Sequence, residues 1–221
     1  MSDVICFVLT SSKLDDRIRR IKNTWANNIP TIFYSDHEDV SQNIVKVSDR
    51  NDYWSAEEKQ INVVNKIRDG LLNVLNEYKW ICFCDDDTFI NTRVAFEELP
   101  YFNEMCVYGS IVEYDANPSN PIYKNVKIPM RLKYPSGGAG YFVSTSLLKV
   151  SGKFKNYDTL YSDVNMGMNF HHKKIQSVNH PLFCSTSPAL HFHNDDVIVT
   201  KLTYHNIKTD SEMEHLYWFT K

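Results

Sequence analysis

No stretch of this chain approaches the ~20 consecutive apolar residues that a membrane-spanning helix needs. The apolar start from Val4 to Leu9 also lacks the basic leader region of a signal peptide, so a soluble, cytoplasmic protein is expected. There is no basic run: 24 Lys and Arg stand against 27 Asp and Glu, a formal net charge of −3, which argues against nucleic acid or another polyanion as ligand. Glycine and proline are scarce, at 7 and 8 of 221 residues, and form no biased tract, which excludes collagen-like and low-complexity chains. Aromatic residues at 13% supply apolar surface enough to offset the entropy lost on folding. The five cysteines, Cys6, Cys82, Cys84, Cys106 and Cys184, contain no CxxC pair and are too sparse for a disulfide scaffold, so buried, reduced thiols are expected. With neither an internal repeat nor a Gly/Ser-rich linker, residues 1–221 read as one domain.

What is present is an alternation of buried strands and amphipathic helices. Val4 to Leu9 and Trp80 to Cys84 are continuous apolar runs, as in strands covered on both faces of a mainly parallel sheet. Thr31 to Ser35 is a shorter strand, and between it and the first run Asp15 or Asp16 can cap a helix carrying Ile18, Ile21 and Trp25. The longest helical pattern spans Ser55 to Tyr78: Ser55 with Glu58 forms a capping-box pair, and Ile61, Val64, Ile67, Leu71, Leu75 and Tyr78 make one stripe. A short helix near Val94 to Leu99, a strand near Val107 to Val112 and a polar connection from Asp115 to Pro129 follow. The fold class is α/β, Rossmann-like, with a mainly parallel central sheet flanked by helices.

The strand at 80–84 stops at Asp85-Asp86-Asp87. In open α/β sheets, ligands bind beyond the carboxyl ends of the strands. Three acids there need solvent, hydroxyl donors or a cation, and hard divalent cations such as Mg²⁺ and Mn²⁺ take oxygen ligands together with substrate phosphate oxygens; a plain hydrophilic turn is the alternative. Ser136-Gly137-Gly138-Ala139-Gly140 holds three of the seven glycines and matches neither a Walker loop nor a dinucleotide fingerprint; it is a tight turn or a close approach to a ligand. Ser162 or Asp163 starts a further helix, where Asp163 either caps it or, facing the same crevice as the triplet, serves as a general base. His191-Phe192-His193 places two imidazoles on one strand face; either could complete a metal shell, and imidazole leans toward Mn²⁺ over Mg²⁺. His171-His172 reads as surface, and Cys82 and Cys84 as buried structural thiols.

Taken in order, Asn23-Thr24-Trp25, Phe33 to Asp36, Trp80 to Phe89, Ser136 to Tyr141, Ser162 to Gly167 and Phe192-His193 resemble the fringe and core 1 β1,3-galactosyltransferase family over nearly the whole chain. The resemblance implies the GT-A fold in a single domain. It also implies a metal-dependent, inverting glycosyltransferase that moves galactose, N-acetylglucosamine or glucose from a UDP-sugar to the hydroxyl of a glycan, glycoprotein or other acceptor, with β1,3 linkage. By the same resemblance Asp87 and His193 are metal ligands, Asp85 is a partner to the ribose or the metal, Asp86 assists either neighbour, and Asp163 is the catalytic base. Thr10, Arg17 and Asp36 would line the nucleotide pocket, and Gly138, Ala139 and Gly140 would close around the sugars. Ser162 departs from the family, whose members commonly carry another acid there. Two competing functions suit the same residues: a metal-dependent nucleotide or phosphoester hydrolase, and a catalytically silent sugar- or nucleotide-binding module.

Overall fold

The computed structural model describes residues 3–114, 126, 128–188 and 200–221. In chain order the elements are β1 (Val4–Leu9), α1 (Asp15–Lys22), a 3₁₀ turn at Trp25–Asn27, β2 (Thr31–Ser35), β3 (Ile44–Lys46), α2 (Ala56–Arg68), β4 (Trp80–Asp85), β5 (Phe89–Ile90) and α3 (Thr92–Glu98). Then come β6 (Cys106–Gly109), β7 (Ile111–Tyr114), β8 (Leu132–Pro135), β9 (Tyr141–Ser144), α4 (Thr145–Val150), α5 (Ser162–His172), β10 (Gln176–Asn179), β11 (Phe183–Cys184), β12 (Thr203–Tyr204) and α6 (Asp210–Thr220).

Seven strands form the central sheet in the order β10-β6-β9-β4-β1-β2-β3, and β9, antiparallel to both of its neighbours, runs against the rest. The two apolar runs lie side by side at its centre. Their alternate residues feed two cores: Val4, Cys6, Val8, Cys82 and Cys84 pack with Ile18, Ile21 and Trp25 on one face, while Ile5, Phe7, Ile81 and Phe83 pack with α2 and α5 on the other. Both faces being covered is why these strands read as unbroken apolar runs. None of the five cysteines is in a disulfide, and all but Cys184 are buried. No helix among the described residues is long and apolar enough to cross a membrane.

Several local expectations are corrected. The helix read over 55–78 ends at Arg68, because Gly70 takes a positive φ of 74°. The Gly70 amide donates to Ile67 O and the Leu71 amide to Lys66 O, a Schellman closure that satisfies the last carbonyls and turns the chain away. Ser55 does not cap it: its Oγ donates to Asp52 O in the preceding turn, and Glu58 accepts from Ser48 instead. Leu14 rather than Asp15 or Asp16 holds the N-cap position of α1, and Trp25 lies in the 3₁₀ turn beyond it. The strand read over 107–112 is two: β6 is wholly buried in the main sheet, whereas β7 leaves it to pair with β8. Most of the polar connection after Tyr114 lies outside the described residues.

Candidate active site

β1 and β4 are parallel neighbours in a register that sets Leu9 opposite Asp85. The residue after each strand therefore meets its counterpart: Thr10 Oγ1 donates to Asp86 Oδ2 at 2.8 Å. Arg17, on the first helix, donates to Asp86 Oδ1 at 2.7 Å and stands 3.6 Å from Asp87 Oδ2. Both oxygens of the central acid are thus held by protein groups. Trp25 Nε1 donates to Thr88 O at 3.0 Å, and Thr88 Oγ1 donates to Gly138 O at 2.7 Å. The tryptophan, the acidic turn and the glycine loop form one connected unit.

Directly after Thr88 the chain enters β5, against which β12 runs antiparallel with Tyr204 opposite Phe89. The Ile207 amide donates to Asp87 O at 2.9 Å. That pairing delivers His205, whose Nε2 lies 3.2 Å from Asp87 Oδ1. Asp85, Asp87 and His205 each offer a ligand atom, all within 4.8 Å of one another. Lys208 Nζ stands 3.2 Å from Asp87 Oδ2. Burial, then the adjacent Asp87 charge, pushes Asp85 up to about 7. Burial also opposes ionisation of Asp87, but hydrogen bonds from His205 and Lys208 outweigh it and leave this carboxyl at about 2. Two carboxylates crowded until one resists ionisation, beside an imidazole, form an O,O,N donor set suited to Mn²⁺ or Mg²⁺.

His191 and His193 lie outside the described residues. His205 escaped the sequence reading although Tyr204-His205 repeats the aromatic-His wording of Phe192-His193. Among the described residues, the strand pairing beside Asp87 is what brings His205 to it.

A cavity of about 530 Å³ opens at this end of the sheet, with Thr10, Arg17, the acid triplet, Gly138, Asp163, His205 and Lys208 in its wall. Asp163 lies in the first turn of α5, where Tyr161 holds the N-cap position. Its carboxylate accepts from the Val164 amide at 2.8 Å and from the Gly137 amide, while burial raises its pKa above the ordinary Asp value. The acid at the helix start and the acid triplet therefore share one crevice. Asp36, Ala139 and Gly140 do not line it. Asp36 sits behind the wall, accepting from the Ser12 amide at 3.2 Å and from Lys59 Nζ at 2.9 Å. Lys59 itself lines the cavity and donates to Thr10 O at 3.2 Å. Ala139 is fully buried, and Gly140, with a φ of 74°, backs onto Cys84 and Phe83. Lys59 and Lys208 carry no sequence signal beyond their charge.

A profile of the Fringe-like family matches residues 1–216. Among solved structures, a glycosyltransferase involved in the glycosylation of the major capsid of PBCV-1 aligns with a TM-score of 0.50 at 12% identity, covering 96% of this chain and 98% of that one. Galactosyltransferase LgtC in complex with donor and acceptor sugar analogs aligns with a TM-score of 0.48 at 8% identity, covering 97% and 95%. The catalytic domain of Drosophila β1,4-galactosyltransferase 7, in complex with xylobiose, aligns with a TM-score of 0.42 at 12% identity, covering 81% and 65%. At these identities the likeness is one of fold. With its seven-stranded mixed sheet and a family match over almost its full length, this chain has the GT-A glycosyltransferase fold and belongs to the Fringe-like family.

Proposed function

We propose that the chain is a metal-dependent inverting glycosyltransferase that moves a hexose or N-acetylhexosamine from a UDP-sugar to an acceptor hydroxyl, building a β1,3-linked glycan. The observation that carries this is the convergence of Asp85, Asp87 and His205 on the same cavity as Asp163. A divalent cation held by those three would neutralise the charge that builds on the departing diphosphate. Asp163 accepts the proton of the acceptor hydroxyl as its oxygen bonds to the anomeric carbon. The bond from that carbon to the diphosphate oxygen breaks in the same step, its electron pair leaving with UDP. Attack from the face opposite the leaving group inverts the centre, and no covalent enzyme intermediate is needed. Arg17 and Thr10 hold the Asp86 carboxylate in place beneath this site. The Gly137 amide aims the Asp163 carboxylate.

The test is calorimetric titration of UDP with Mn²⁺, with chelator, and into Asp87→Ala, alongside UDP release from a panel of UDP-sugars with and without acceptor. Mn²⁺-dependent UDP binding lost in Asp87→Ala, and acceptor-dependent UDP release, are expected. Binding indifferent to both chelator and mutation overturns the cation site. Action on nucleotides or esters that lack sugar favours hydrolysis instead.

A further inference from the structure

The parallel strands have a second end, opposite the crevice, and four large apolar side chains stand open there. Leu71 and Val150 are 70% and 69% exposed, Tyr101 83% and Met105 53%. Leu71 lies in the segment that leads into β4, Tyr101 and Met105 in the one that leads into β6, and Val150 ends α4, which follows the antiparallel β9. Hydrogen bonds join these segments into one surface: Lys149 Nζ donates to Asn76 Oδ1 at 3.2 Å, Thr145 Oγ1 to Tyr78 O at 2.9 Å and Ser146 Oγ to Glu104 Oε2 at 2.8 Å. The same surface continues into a field of lysines. Lys173 Nζ donates to the carbonyl of Ser151, the residue after Val150, at 2.6 Å and to Lys153 O at 2.8 Å; Lys149, Lys153, Lys155 and Lys174 are exposed. Burial pushes the Lys173 pKa down, and the charges of Arg68 and Lys155 add to it, as like charges close together do. The acids nearby are Asp69 and Glu104, tied to Arg68 and Lys79, with Glu77 and Asp3. The net charge of −3 conceals this patch, because its cations come from separate segments.

We propose that this end is a docking surface for an anionic lipid bilayer, with the lysines over the headgroups and Leu71, Tyr101, Met105 and Val150 dipping into the interface. Lysines clustered in this number bind anionic membranes, each adding its attraction to the negative surface potential. Single apolar side chains set among long lysine stems suit a fluid interface. The stems lie along the apolar boundary while the ammonium groups stay with the phosphates. A second copy of the chain fits poorly, since pairing this surface with itself would bring two lysine fields together. α2 runs 13 residues from Ala56, in the crevice wall, to Arg68, about 20 Å at the helical rise per residue. Docking here therefore leaves the crevice facing away from the bilayer, open to substrate from solution.

The experiment is co-sedimentation with vesicles of phosphatidylcholine alone and of phosphatidylcholine mixed with phosphatidylserine, at low and at high NaCl. The chains compared are the native protein, the triple variant Lys153→Gln, Lys155→Gln, Lys174→Gln, and the double variant Tyr101→Ser, Val150→Ser. A control triple, Lys13→Gln, Lys46→Gln, Arg131→Gln, removes equal charge elsewhere. Every substituted side chain is exposed, so the variants fold, and a thermal melt of each checks it. The native chain is expected to bind only the vesicles that contain phosphatidylserine and to leave them at high salt. The lysine triple should weaken that binding about tenfold or more, the Tyr101, Val150 double severalfold, and the control triple by less than about twofold. No binding to the anionic vesicles, equal binding to both lipids, or equal losses in the two triples would each overturn the proposal. Sedimentation velocity without vesicles completes the test: dimers of the native chain that the double variant abolishes would give the face to a second copy and overturn it as well. None of these readouts uses UDP or metal, so the result stands apart from the glycosyltransferase function.

Discussion

Gly138 lies against the imidazole of His205: a Cβ built on this glycine would fall 2.2 Å from both Cε1 and Nε2 of the ring. The glycine's backbone is not free to yield, so the ring would have to move. Gly138 O is held by Thr88 Oγ1 at 2.7 Å, and the histidine follows directly from the β5–β12 pairing. The close approach gives this glycine a physical reason that its backbone angles do not. Gly138→Ala is expected to push the imidazole away from Asp87 and cut Mn²⁺-dependent UDP affinity by tenfold or more. The fold should survive with a loss of ~1–3 kcal/mol, the usual cost of overpacking. Calorimetry together with a thermal melt checks both, and unchanged UDP affinity would show that His205 is not a ligand.

A second glycine governs the acid at the other wall. A Cβ on Gly167 would meet Tyr134 Cβ at 2.4 Å and Lys133 O at 3.2 Å, so α5 packs on β8 at a distance only glycine permits. Gly167 stands four residues after Asp163, about one turn along the helix. Gly167→Ala should therefore lift α5 from the strand and carry Asp163 with it, lowering kcat well beyond any change in UDP affinity. A kcat that follows the melting temperature alone would contradict this.

Much of the site is legible in the sequence, and for reasons the structure supplies. The runs at Val4 and Trp80 are apolar throughout because both faces are buried, so strands and their ends could be placed, and with them the acids at 85–87. The spacing of Asp163 and Gly167 reflects the tight contact of α5 on β8. What could not be read depends on tertiary pairing. Three aromatic-His pairs occur in the last third of the chain, Phe170-His171, Phe192-His193 and Tyr204-His205, and the approach of His205 to Asp87 follows from β12 lying on β5, a short contact with no periodic signature. The helical stripe continues past Arg68 as a pattern, yet Gly70 ends the helix, and Leu71 on the supposed buried stripe is 70% exposed. Lys59 looks like an ordinary surface charge and Asp36 like a pocket residue until the fold buries them together.

That buried pair yields a stability prediction. The Lys59 and Asp36 side chains are only 3% and 5% exposed and 2.9 Å apart. Burial works against the Asp36 charge, but hydrogen bonds from Ser12 and Lys59 outweigh it and hold the carboxyl well below the usual range. A depressed carboxyl adds stability above its unfolded pKa of about 3.9 and loses it as pH falls toward the folded value. Asp36→Ala should cost ~3–5 kcal/mol at neutral pH by leaving the ammonium buried without its partner, with the double variant Asp36→Ala, Lys59→Met recovering much of it. The native chain's advantage over Asp36→Ala should shrink below about pH 4, measured by denaturant titration across pH. A pH-independent difference would rule out this account.

The Glu57 carboxylate reaches from the start of α2 to the loop that leads into α5. It accepts from the Thr159 amide at 2.9 Å, the Thr159 hydroxyl at 3.3 Å and the Leu160 amide at 2.9 Å. Asp158 and Leu160 on that loop hold left-handed φ values of 55° and 68°, which side-chain-bearing residues adopt at a cost and only where surroundings enforce it. Glu57→Ala removes the acceptor from the buried Thr159 amide and the part-buried Leu160 amide, a loss of ~1–3 kcal/mol for the buried group left unsatisfied. The loop is then expected to relax and misplace Tyr161 and Asp163. Faster amide hydrogen exchange confined to 158–163, with kcat reduced and UDP affinity retained, is the expected signature. Uniform exchange across the fold would instead make Glu57 a general stabiliser.

The pH dependence of turnover tests Asp163 itself. Burial raises its pKa, with the Val164 and Gly137 amides opposing. A base works only when ionised, so kcat/KM should fall as pH drops through that raised value, placing the acid limb above the ~3.9 of an ordinary aspartate. Asp163→Asn should bind UDP normally while turnover falls by about 10²-fold or more, the range lost with a general base, and its residual activity should lack that limb. The profile is to be taken with Mn²⁺ saturating at every pH, so that protonation of the metal ligands does not supply the limb. Native turnover in the Asp163→Asn chain would transfer the proton-accepting role to another group in the cavity.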